Sequence, residues 1–214
     1  MTDPACVTVI DAGFGSVQAL VRQFARVGAP VCVAQHPTEI AQATGIVLPG
    51  VGHFTTAWER LVGAGWVPAL QDHHAQGRPL LGVCLGMHLL FSGSDEGPGP
   101  GLGFLPGRIV ALPATPRSHH IGWATPTWAT SAPPFARAPG HRFAFAHGFA
   151  CPADHPATAA TLAVQGRDWA MAVHAGNLIG VQFHPEKSLD AGARLCADFA
   201  RWCGHDLIDL PWDA

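Results

Sequence analysis

Apolar residues fall into two rhythms along this chain. The unbroken runs CVTVI (6–10), PVCVA (30–34), GIVLPG (45–50) and PLLGVCLG (79–86) have the length of buried strands. Between them, SVQALVRQFARVG (16–28) sets Val17, Leu20, Val21, Phe24 and Val27 at helical spacing and closes on Gly28. PTEIAQA (37–43) predicts a short helix, and two more helices are predicted over 55–63 and 66–77. Short apolar strands alternating with helices predict a parallel sheet covered on both faces.

The rhythm changes after the glycine- and proline-rich loop EGPGPGLGFLPG (96–107). RIVAL (108–112), RFAFAHGF (142–149), ATLAV (160–164), WAMAVHA (169–175) and NLIGVQFH (177–184) predict mixed or antiparallel strands that extend the same sheet. LDAGARLCADFARW (189–202) predicts a closing helix with Ala193, Leu195, Cys196 and Phe199 inward. No repeat and no long polar linker interrupts the chain. The expected fold is therefore α/β: one domain over 1–214, with a mostly parallel central sheet, mixed or antiparallel extensions and helices on both faces.

Composition narrows the function. With 214 residues and 48% hydrophobic content, the chain can bury a substantial core. A net charge of -3 and 13% charged residues give no basic footprint for nucleic acid. MTDPACVTVIDAG has neither a cationic start nor a long apolar segment, so no signal peptide and no membrane span are expected, and the location is expected to be cytoplasmic. Six cysteines, with Cys6 and Cys32 in strand-like runs and Cys196 in a helix-like one, are expected to be reduced thiols. Thirteen histidines raise the question of metal, but His73-His74 and His119-His120 are adjacent pairs whose side chains diverge. No HExxH or CxxC accompanies them, so no metal and no cofactor are expected.

One cysteine stands apart. Gly82-Val83-Cys84-Leu85-Gly86 has the G-x-nucleophile-x-G form of an elbow, where a strand ends, turns sharply and starts a helix. A thiol at a helix N-terminus meets free amides and the positive end of the dipole, which favours thiolate. A buried structural cysteine in a βα turn fits the same five residues. A nucleophile needs a base and the base an orienter, and GVQFHPEKS (180–188) offers both. Residues two apart in an extended segment share a side, and Pro185 biases His184 toward extended backbone, so Glu186 can hold the imidazole of His184. The Leu85 amide is the first candidate oxyanion donor. LPGVGHF (48–54), at a strand end, can supply a second from Val51 or Gly52.

These pieces resemble the class I, or triad, glutamine amidotransferases, and most closely the glutaminase subunits of imidazole glycerol phosphate synthase. VIDAGFGS, VLPGVGHF, GVCLGMHLLF, GLGFLPGRIV, HHIGW, FAFAHGF and GVQFHPEKS carry the resemblance over nearly the whole chain. It implies a Cys84, His184, Glu186 triad that hydrolyses L-glutamine through a thioester. It also implies a glutamine pocket at Gly50, His88, Glu96, Gly148 and Phe149, with Glu96 meeting the α-ammonium. A partner (β/α)₈ barrel cyclase would form a heterodimer at Phe14, Ser16, Ile121, Trp123 and Lys187 and receive the ammonia for histidine biosynthesis. In that family the glutaminase is nearly idle until the partner docks. This chain departs from the family pattern at His88, where Gln is usual, and in having no tyrosine. The first motif also lacks its Tyr and Asn, at Ala12 and Ser16, and Leu189 replaces a common Gln. Two other readings follow from those departures: a paralogue feeding a different synthase, or a silent regulatory module that keeps the fold.

Overall fold

The computed structural model describes residues 5–114, 118–129 and 140–207. The first half is the expected alternation. β1 (Val7–Ile10), β2 (Val31–Ala34), β3 (Gly45–Leu48) and β4 (Leu80–Val83) are separated by α1 (Val17–Arg26), a 3₁₀ turn at Pro37–Ile40, α2 (Phe54–Gly63) and α3 (Trp66–Ala75). α4 (Leu85–Leu90) follows β4 without a connecting loop. The second half holds β5 (Val110–Ala111), β6 (His120–Ala124), β7 (Thr127–Trp128), β8 (Phe143–His147) and β9 (Phe149–Pro152). It continues through β10 (Thr158–Val164), β11 (Arg167–Ala175), β12 (Leu178–Val181), a 3₁₀ turn at Pro185–Lys187 and α5 (Leu189–Trp202).

The main sheet has ten strands, with its principal path in the order β2-β1-β3-β4-β12-β11-β10-β7. Pairing is parallel from β2 to β12 and antiparallel from β12 onward. β6 and β8 form a separate antiparallel ribbon. RFAFAHGF therefore does not make one strand: it splits at Gly148, β8 joining the ribbon and β9 the main sheet. HHIGW supplies most of β6, a strand that the apolar pattern does not predict. Its outward Ile121 and Trp123 are exposed, so it lacks the one-sided apolar pattern that marks a buried strand.

Strand alternation divides the core in two. Val7, Val9 and Val47 meet Leu20 and Phe24 of α1 and Leu195 and Phe199 of α5 on one face. Ile10, Ile46 and Leu48 meet Phe54 and Leu61 of α2, Trp66 and Leu70 of α3 and Met87 of α4 on the other. Burial on both faces explains why these strands read as unbroken apolar runs.

Contrary to the expected reduced state, two of the cysteines are paired. Cys6 and Cys32 are joined by a disulfide, with Cα atoms 6.1 Å apart. Each looked like an isolated apolar filler of its own strand. Parallel pairing of β1 with β2, in which Thr8 lies opposite Cys32, makes them neighbours. Cys84, Cys151, Cys196 and Cys203 are free thiols.

Candidate active site

The C-terminal ends of β3, β4 and β12 lie side by side, and the chemistry gathers there, as it does in open parallel sheets. Cys84 sits between β4 and α4 with φ 52 and ψ -108, a conformation that L residues rarely adopt. The elbow forms because the backbones crowd: a Cβ on Gly86 would overlap the Leu48 carbonyl oxygen. The Cys84 amide donates to Val181 O at 2.8 Å, tying the elbow to the end of β12.

His184 leaves β12 in an extended conformation, as Pro185 predicts. Glu186, however, reaches it from inside the 3₁₀ turn Pro185–Lys187, not along an extended strand. The pairing survives the correction: His184 Nδ1 and Glu186 Oε1 are 2.8 Å apart, with side chains 3% and 2% exposed. Nδ1 is thereby occupied, which leaves Nε2 for the thiol. Burial alone lowers an imidazole pKa, but here it is outweighed. Hydrogen bonds to Cys84 and Glu186, and the charges of both, push His184 up to about 9.

The segment carrying this pair is held by buried polar groups that the sequence pattern does not single out. Gln23 of α1 donates from Nε2 to the carbonyls of Pro185 (3.0 Å) and Leu189 (3.2 Å). Ser188 Oγ donates to His184 O at 2.6 Å and accepts from the Ala144 amide at 3.0 Å. The His184 amide donates in turn to Ala144 O at 2.9 Å. Buried polar positions inside amphipathic elements were the only available signal for Gln23 and Ser188.

A cavity of about 270 Å³ opens in front of the triad. Its lining includes Cys84 and His184 together with Val51, Gly52, Leu85, His88, Glu96, Gly148, Phe149 and Lys187 from the expected set, and adds Ala146 and His147. Glu96 Oε2 accepts the Phe54 amide at the start of α2 (2.9 Å), leaving its other oxygen free to meet a ligand. Gly50 does not line the cavity. It packs against Leu85 and Gly86, where a Cβ would collide with their backbone. His147 lines the cavity with both ring nitrogens engaged: its Nδ1 donates to Phe149 O (3.0 Å) and its Nε2 meets His120 Nδ1 (3.2 Å). Burial pushes its pKa down to about 3.

Two of the three expected oxyanion donors are engaged elsewhere. The Leu85 amide points at Gly50 O, 3.4 Å away. The Val51 amide donates to Phe14 O at 2.9 Å, and Gly52 adopts φ +105.

A family model for class-I glutamine amidotransferases matches residues 8–201. The chain belongs to that family. Among similar amidotransferases, "Imidazole glycerol phosphate synthase subunit HisH" of Symbiobacterium thermophilum is 41% identical over 199 residues, 92% of this chain and 94% of that protein. The protein of the same name from Moorella thermoacetica is 37% identical over 201 residues, covering 93% and 96%. The fold is shared with a solved glutamine amidotransferase at TM-score 0.75 and 19% identity, covering 93% of this chain and all of that one (100%). It is shared also with PurLQS from Thermotoga maritima at TM-score 0.73 and 16% identity, over 92% and 98% of the two chains.

The positions expected to face an amidotransferase partner divide. Ile121 (71% exposed) and Trp123 (44%) stand out from the β6–β8 ribbon, and Lys187 is exposed at the cavity rim. Ser16 is half-buried at the start of α1. Phe14 is the departure: its ring is only 8% exposed and packs in the core, so it offers no anchoring area. What it does offer the site is its carbonyl, through the Val51 amide. Among the described residues, no helix is long and apolar enough to cross a membrane.

Proposed function

We propose that this chain is the glutaminase subunit of an imidazole glycerol phosphate synthase. It hydrolyses L-glutamine to glutamate and ammonia and passes the ammonia to a (β/α)₈ barrel cyclase subunit in histidine biosynthesis. The observation that carries the reading is the meeting of Cys84 and His184, the latter paired with Glu186, in a cavity that Glu96 also lines. The cavity is at the small end of small-molecule sites, a size fit for a single amino acid. A carboxylate sharing a cavity with a nucleophile suits a substrate that carries both an ammonium and an electrophile.

The chemistry follows from the geometry. The Cys84 sulfur adds to the side-chain carbonyl carbon, and negative charge grows on its oxygen. The C–N bond then breaks as His184 Nε2 gives its proton to the leaving nitrogen, forming ammonia and a thioester. Glu186 holds the ring and balances the imidazolium. Water next attacks the thioester, His184 takes its proton, and the thiolate leaves glutamate behind.

The backbone supports partner control. With the Gly50 carbonyl against the Leu85 amide and the Val51 amide held by Phe14, two of the three expected oxyanion donors are engaged elsewhere. Docking of the cyclase over the Phe14 loop and the cavity rim releases Val51, and the Gly50–Val51 peptide turns to present its N–H. Glutamate release measured on the isolated subunit, with the cognate cyclase, and with cyclase plus its nucleotide ligand tests the reading. Slow release alone and a large rise in the complex are expected. Full activity in the isolated subunit overturns partner control, and no hydrolysis in any combination overturns the glutaminase reading.

A further inference from the structure

Beside Cys84 lies a buried polar pair that the mechanism above does not use. Gln182 is 0% exposed, one residue past β12 and two before His184. Its Oε1 sits 2.9 Å from His88 Nε2, and its Nε2 approaches Cys84 Sγ at 3.8 Å. Its backbone amide is fixed on Met171 O at 2.9 Å. A carboxamide oxygen only accepts, so His88 carries its proton on Nε2 and uses it to orient the amide. Burial keeps that imidazole neutral, its pKa pushed down to about 4. With the amide reversed, an oxygen dipole would face a sulfur that must become anionic, and a donor there would be lost.

We propose that Gln182, oriented by His88, is a positioning residue that aims the Cys84 sulfur and stabilises its anionic form through a carboxamide N–H. The sulfur then lies between two donors, the His184 imidazolium and the Gln182 amide. This rests on Cys84 being the nucleophile, not on the identity of the substrate.

The titratable groups facing Cys84 are His184 with Glu186 behind it, His88 from α4, His147 from β8, and Glu96 and Lys187 around the cavity. His88 and His147 stay neutral above pH 5, so neither adds an inflection there. Burial pushes Cys151 up to about 12 and also raises Cys196 and Cys203, so those thiols stay protonated over the range in which the profile is read.

The test is the pH dependence of Cys84 alkylation by iodoacetamide, read by peptide mass spectrometry, with circular dichroism to verify folding. Gln182→Met removes the donor at nearly constant volume. It should move the midpoint up by about 0.5–1 pH unit and slow alkylation below it roughly 3- to 10-fold, leaving the alkaline plateau unchanged. His88→Leu should shift the midpoint the same way by less. His88→Gln, whose amide can still donate to Gln182 Oε1, should restore the parent profile. A parent-like profile in folded Gln182→Met overturns the inference; should that variant not fold, a parent-like profile in His88→Leu does so. Alkylation consumes no glutamine, so the shift appearing in a protein without glutaminase activity would support the inference while removing the proposed function.

Discussion

The two walls of the cavity are built to opposite standards. On one, every part of the triad is fixed by bonds from elsewhere: Gln23 and Ser188 pin the turn, Glu186 the imidazole, and Val181 the elbow. On the other, the loop after β3 is engaged differently: the Val51 amide is spent on Phe14 O behind the cavity lining, and Gly52 sits at φ +105. The contrast separates two tasks. In the proposed reaction, the groups that would make and break bonds are preorganised, whereas two of the amides that would stabilise the developing oxyanion are stored in another arrangement. A rate governed by the second wall can be raised by a partner without disturbing the first.

The largest effect should come from the fixed wall. Cys84→Ser is expected to lower glutamine hydrolysis by at least ~10³-fold, whereas ammonia supplied directly should still support the cyclase reaction; glutamate release and product formation are assayed in parallel. Turnover near the parent level would move the nucleophile elsewhere. Next come the two members of the pair. His184→Ala is expected to cost on the order of 10²–10⁴-fold in kcat/KM, and Glu186→Gln less, because a ring with the wrong tautomer bias still visits the productive one. The reverse order would mean that Glu186 acts on the substrate itself.

How far the site was legible depends on what fixes each residue. Cys84, His184 and Glu186 announce themselves because the elbow and the Pro185 turn are local; Phe149 stands in a short motif, and Glu96 is implied by the family resemblance alone. Gln23, Ser188 and Gln182 act across more than forty residues of chain or from inside a buried run, where polar side chains look like exceptions to an apolar pattern. The Cys6–Cys32 pairing depends on strand register, and the burial of Phe14 on how its loop folds back. The first-half fold was readable for the converse reason. Strands buried on two faces leave contiguous runs, whereas the β6–β8 ribbon with Ile121 and Trp123 outward does not.

The movable wall should respond with smaller numbers and the opposite sign. Gly52 has open space around the position of a Cβ, so Gly52→Ala tests conformation, not sterics. A φ of +105 disfavours Ala, and straining the idle arrangement should raise partner-independent glutamate release several-fold. A fall in the basal rate would mean that the stored arrangement is not what limits it.

Acid and alkali sharpen the same contrast, since the fixed wall titrates and Gly50–Gly52 cannot. His184 is raised above its ordinary 6.5 to about 9, so the stability it supplies is full below about 6.5 and lost as pH climbs through 9. His88 and His147 are lowered, to about 4 and about 3, so theirs is full above 6.5 and lost as pH falls. Each of the latter should cost ~1.4 kcal/mol per pH unit over that range. Urea midpoints measured from pH 7 to 4.5 should therefore fall, and His88→Gln should flatten the decline by one proton's worth. An unchanged slope would place His88 in contact with water.

The elbow also sets a limit on how this protein can be improved. Cys84 holds a backbone conformation suited to glycine, at a cost of about 1–3 kcal/mol. No rearrangement of neighbours can relieve it, because Gly86 lies against the Leu48 carbonyl on one side and β12 ties down the Cys84 amide on the other. Selection for robustness alone would erase the thiol; with Cys84 as the proposed nucleophile, selection for turnover would keep the chain less stable than its own architecture permits. Position 84 is where those two pressures cannot both be satisfied.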